Sequence, residues 1–202
     1  MVISITPLVM LAVFSGLSMN LILQLGLGLK GIAIDVPVGK DRLLAGLGIL
    51  FVTVMLLWLV FSLGRSVVFL GFFEYVALFP ASYLVFSILE YLVNHFILKV
   101  NAGQEETFFL SNTLFGGALA GGALFITLNT AGSLGEAVVL SLGFSCSVAL
   151  VVVVVGEIRR RSEMEAVPHW LRGGPLALIA MGLLSLVFSS GALILFGVLG
   201  TK

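Results

Sequence analysis

Few residues in this chain could do chemistry, and their position within apolar sequence says more than their type. Glu90, in SILEYLVNHF (87–96), precedes Lys99 by about nine residues, which sets it roughly 13 Å into a bilayer at about 1.5 Å of rise per residue. An acid at that depth must face protein and find a hydrogen-bond partner, or take up a proton. Two roles fit it: an ion or proton relay, or a polar clamp between helices. Asn20 opens NLILQLGLGLKG (20–31) and Asn112 opens NTLFGGALAGGA (112–123), two glycine-interrupted stretches within apolar runs. Both are candidate ion-path or structural polar residues. Lys30 follows LGLGL and either snorkels to the membrane surface or lies in a helix break. Glu74 can reach the headgroups at the other end of the run that holds Glu90, so it carries little information.

Familiar soluble-enzyme patterns do not hold up. Residues 26–31 spell GLGLKG, a literal G-x-G-x-x-G, but the motif closes an apolar run with no strand before it. There is no Walker loop, zinc-ligand spacing or Cys-x-x-Cys. His95 and His169 are far apart with no partner spacing. Cys146, in GFSCSVAL, reads as a small packing residue inside a membrane span. No catalytic residue and no metal ligand emerges.

The elements that must position these residues follow from composition. The chain has 202 residues, 60% apolar and 10% charged, with a mean hydropathy of +1.23. Soluble domains run about 45–50% apolar and about 25% charged. This chain has too little polar side chain to cover a soluble globule, and one cysteine excludes a secreted disulfide scaffold. The class is an integral membrane protein in a lipid bilayer. Ten basic and ten acidic residues cancel, and nothing points to nucleic acid.

Apolar runs near 5–29, 43–63, 67–98, 107–128, 134–156 and 174–198 are each long enough for the roughly 20 residues that a transmembrane helix needs. They are too long and continuous for barrel strands, and the uncharged start does not fit a cleavable signal peptide. The expected fold is all-α with six transmembrane helices. Lys30, Lys40, Arg42, Lys99, Arg159, Arg160, Arg161 and Arg172 flank the loops after the first, third and fifth spans; Arg65 and Lys202 lie on the other side. The excess of basic residues marks the cytoplasmic side. Both termini are therefore expected outside the cytoplasm.

The spans group as three plus three about KVNAGQEE (99–106). Three is odd, so a repeated unit enters the membrane in the opposite sense the second time. The expectation is one membrane domain, 1–202, of two inverted repeats (about 1–100 and 104–202) with broken first and fourth helices. Close packing of small residues such as Gly117 and Gly121 is the alternative reading of the glycines. The small residues within 116–122 form a flat face that calls for a helix from a partner subunit.

The stretch GEIRRRSEMEAVPHWLRGGPLALIAMGLLSLVFSSG (156–191) resembles a signature of the Rnf A-subunit and Nqr E-subunit family, through Ile158, Arg159, Val167, Pro168, Arg172, Gly173, Gly182, Leu183 and Gly191. Asn20 with LGLGLKG, the loop VPVGKDRLLAGLG and Glu90 resemble further family features. These are membrane subunits of ion-translocating electron-transport complexes. The resemblance implies a bacterial-type cytoplasmic membrane, an oppositely oriented paralogous six-helix partner, and flavins and a [2Fe-2S] cluster in the complex, the cluster shared through two cysteines from each subunit. The corresponding positions here hold Lys30 and Thr113, and no cysteine precedes Cys146. Neither a threonine nor a charged lysine replaces a thiolate on iron. The chain is therefore expected to bind no cluster by itself and to act as a structural or ion-passing subunit rather than a catalytic chain. A redox-independent transporter, or an assembly or anchor subunit on the same scaffold, is the alternative.

Overall fold

The structure is a computed structural model that describes residues 5–18, 20–21, 40–67, 71–96, 113–164, 168 and 174–200. The described residues are almost all helical, with no strand among them. A helix bonds all its backbone groups within itself, which is what an apolar run in hydrocarbon requires. Helix α1 (Ile5–Val13) continues as a π-helical segment (Phe14–Ser18); α2 covers Lys40–Val67 and α3 Gly71–Phe96. Helix α4 covers Thr113–Thr130, α5 Leu134–Met164 and α6 Gly174–Gly200. Each falls on one of the six expected runs. Among the described residues, four helices are long and apolar enough to cross a membrane: α2, α3, α5 and α6.

Helix α5 outruns the expected span. It continues from 156 to Met164 and carries the charged GEIRRRSEM stretch as helix. Arg161 pairs with Glu157 one turn earlier at 3.0 Å, both well exposed, the spacing at which charged side chains support a helix beyond the hydrocarbon. The start of α5 is fixed by Ser133, whose Oγ accepts the Glu136 amide at 3.4 Å, while Glu136 Oε2 accepts the Gly132 amide at 2.8 Å. This reciprocal pairing satisfies amides that the first turn leaves open.

Helix α4 is the most enclosed element. Leu119, Ala120, Ala123 and Leu124 are buried and join α4 to α2, α3 and α5. Its glycines do not interrupt it: the helix is continuous from Thr113 through Gly116, Gly117, Gly121 and Gly122. The expected glycine break is thus corrected for 113–123, while Asn112 lies outside the described residues. The glycines serve close packing instead. A Cβ on Gly117 would stand 2.9 Å from Tyr83 Cα, and one on Gly121 would stand 2.7 Å from the Phe79 ring. That proximity lets Ser82 Oγ donate to the Gly117 carbonyl at 3.1 Å. The small-residue face expected to need a partner subunit is therefore covered by α3 of the same chain, a second correction.

Candidate functional site

The first helix leaves α geometry at Phe14, ends its π segment at Ser18, and is followed by Asn20 outside any helix. It runs alongside α5 in the same direction. Gly143 leaves room for Ser15, whose Oγ would collide with any Cβ there, and a Cβ on Gly16 would lie 3.9 Å from the Gly143 carbonyl. One turn further, Asn20 Nδ2 donates to the Ser147 carbonyl at 3.5 Å. Ser147 stands 13 residues past Leu134 and 11 before Ile158 in the apolar stretch of α5. The π segment and Asn20 therefore lie beside the middle of the apolar stretch of α5, and Leu21 is again helical. Asn20 and Ser147 are both almost fully buried, and Leu21 joins the same apolar cluster as Leu119, Phe144 and Val148.

The described part of α4 opens at Thr113. Gly117 opposes Tyr83 and Gly121 opposes Phe79 and Ser82, so α3 and α4 are antiparallel. Thr113 then falls opposite residue 87, and α3 continues about nine residues, roughly 13 Å, beyond that level to Phe96. Glu90 lies about one turn past the start of α4, on the buried stripe Leu78, Ser82, Phe86 and Glu90. Its Oε1 is buried without a hydrogen-bond partner, as is Ser87 Oγ.

The polar positions thus fall into two neighbourhoods: Asn20 against α5, and Glu90 on α3 near the start of α4. Lys30 and Asn112 lie outside the described residues. Sequence reasoning missed Ser147 and Ser87, hydroxyls that merge into apolar runs. The available signal was the four-residue spacing of Gly143 and Ser147, which sets both on the side of α5 facing the first helix. Cys146 is exposed on α5 rather than packed, its position turned about 60° from Gly143 and about 100° from Ser147 around the helix. His95 stacks on Tyr91 at a centroid distance of 5.9 Å.

A [2Fe-2S] cluster does not fit the side chains present. Its irons need soft or imidazole ligands. The expected positions carry Lys30 and Thr113, the sole cysteine is on an exposed face of α5, and no cluster of three or more His, Cys, Asp or Glu occurs among the described residues.

Fold and site together define a multi-pass helical membrane protein with a few polar groups buried among its helices. No family model matches the chain. A stretch of 67 residues is 36% identical to the A-subunit of the ion-translocating oxidoreductase complex of Pasteurella multocida (strain Pm70). The match covers 33% of this chain and 35% of that protein, about a third of each.

Proposed function

We propose that the chain is a membrane subunit of an Rnf/Nqr-like ion-translocating electron-transport complex, passing ions or bracing the assembly rather than carrying electrons. The observation that carries this reading is the 36% identity over 67 residues to one subunit of an ion-translocating oxidoreductase complex. In this reading the chain sits in a bacterial-type cytoplasmic membrane with both termini outside the cytoplasm. Its two halves are inverted repeats, and an oppositely oriented paralogous subunit lies beside it. It holds no iron-sulfur cluster of its own; clusters and flavins belong to partner subunits. The unsuitable donor set at Lys30 and Thr113 favours a second reading, a redox-independent transporter or anchor subunit on the same scaffold.

Copurification separates the two: flavin-bearing and cluster-bearing partners are expected with the first and absent with the second. Within the assembled complex, Glu90→Gln tests the relay. The amide keeps the shape and a hydrogen-bonding group, so assembly should hold. Ion flux driven by a redox couple should fall by about tenfold or more if the carboxylate relays ions, in line with the cost of altering a functional buried acid. Unchanged flux in a well-assembled variant makes Glu90 a clamp.

A further inference from the structure

Most hydroxyls inside this membrane domain bond to their own helix. Thr53, Thr127, Ser141, Ser145 and Ser190 each donate to the carbonyl four residues earlier, at 2.7–3.0 Å. On α3, Ser82 donates to the Phe79 carbonyl at 2.8 Å. This back-bonding is the low-cost way to satisfy a hydroxyl in an apolar interior. Ser87 and Ser147 do not use it, and the oxygens of both are buried without a partner. Of the two, Ser87 has a second open oxygen on its own helix, three residues on: Glu90 Oε1, on a side chain that is 5% exposed.

Residues three apart on a helix share a face, with Cβ atoms about 5–6 Å apart. Ser87 and Glu90 are therefore neighbours, yet their side chains do not bond each other. A small body that bonds both oxygens would satisfy both. A buried carboxylate also needs its charge balanced. The helices packed most closely against α3 are α2 and α4. Residues 43–64 of α2 and 113–130 of α4 contain no Lys, Arg or His. His95 is on α3 itself, but it is turned about 140° from Glu90 and stacks on Tyr91.

The chemistry of the pair narrows the occupant. A proton on Glu90 would balance the charge and leave Ser87 Oγ open. A water would bond both oxygens and leave the charge. A divalent ion would bring a second, unbalanced charge among neutral helices. A single monovalent cation meets both needs, and hard oxygen ligands suit a hard ion. We infer that Ser87 Oγ and the Glu90 carboxylate together bind one alkali cation, with Ser87 as the second ligand that holds it against the acid. The inference rests on the ion-translocating reading and deepens it by giving the class of ion and a further ligand.

The full chain, purified in detergent, is melted at one pH in sodium, potassium and choline chloride of equal ionic strength, followed by circular dichroism. A ligand that binds only the folded state raises Tm in a saturable way. At least one alkali salt is expected to raise Tm over choline in the wild type, and Glu90→Gln should abolish that response. Ser87→Ala should raise the half-saturating concentration of the salt by about tenfold, the cost of losing one buried polar contact. Its Tm in choline should be unchanged or higher, because the open hydroxyl is gone. Ser87→Thr keeps the oxygen and should keep the response, as should Ser190→Ala, whose hydroxyl bonds its own helix. A wild type that melts identically in all three salts, as a proton or a water at Glu90 would give, overturns the site. So does an undiminished response in Ser87→Ala or in Glu90→Gln. Loss of the response in Ser87→Thr as well as Ser87→Ala would tie position 87 to packing and remove Ser87 as a ligand. Binding is read on the isolated chain and flux on the complex, so loss of the site and loss of the proposed function are separate results.

Discussion

Helices α4 and α6 are both rich in glycine, yet they live in opposite surroundings. Gly117 and Gly121 of α4 are pressed against Tyr83, Phe79 and Ser82, whereas Cβ atoms on Gly182, Gly191 and Gly197 of α6 would meet nothing within 4 Å. Only 17% of the apolar window of α6 is buried, against 44% for α5. Leu183, Leu186, Val187, Leu193 and Ile194 all point outward. In hydrocarbon an exposed leucine costs nothing, so apolar character alone does not choose which helix is central. Shape does. Two glycines four residues apart make a groove that accepts the backbone of α3, and the Ser82 hydroxyl locks it by bonding the Gly117 carbonyl. The open glycines of α6 make no such groove among the described residues.

The largest test of this contrast is Gly117→Ala. The new methyl would press on Tyr83 Cα, which is backbone and cannot rotate away, so α3 and α4 must separate. We expect a loss of about 1–3 kcal/mol from overpacking, read as lower resistance to unfolding in a detergent and dodecyl sulfate mixture. Wild-type stability in Gly117→Ala would mean the two helices are not in contact there.

A smaller effect is expected at the crossing of the first helix with α5. Gly143→Ala pushes on the Ser15 side chain, which can move. Removing the hydroxyl as well, with Ser15→Ala, should return part of the lost stability. A coupling of about 0.5–3 kcal/mol in the double-mutant cycle would match residues in direct contact. Strict additivity would place them apart.

The smallest change is expected on α6. Gly182→Ala and Gly191→Ala should leave the isolated chain unaltered or slightly more stable, by up to about 1 kcal/mol of helix propensity. The same pair sharpens the comparison in an assembly. Reduced copurification of a partner subunit, with the isolated chain unimpaired, would mark α6 as a face on which another helix packs. Equal recovery would leave that face to lipid.

Sequence by itself settled the class and the positions of the helices, because hydrocarbon permits no unpaired backbone and so turns each apolar run of sufficient length into a helix. It also singled out Asn20 and Glu90, since polar groups are rare and conspicuous in such runs. It misread the glycines of α4, whereas those at 26–31 lie outside the described residues. A glycine that breaks a helix and one that lets a neighbour approach look the same in a linear string, and only the arrival of Tyr83 against Gly117 distinguishes them. Nor could it mark Ser147. Seven hydroxyls of the same kind bond to their own helix, and only the tertiary structure reveals that Ser147 does not. The register of the first helix against α5 decides that, through contacts between residues more than 120 positions apart in the chain.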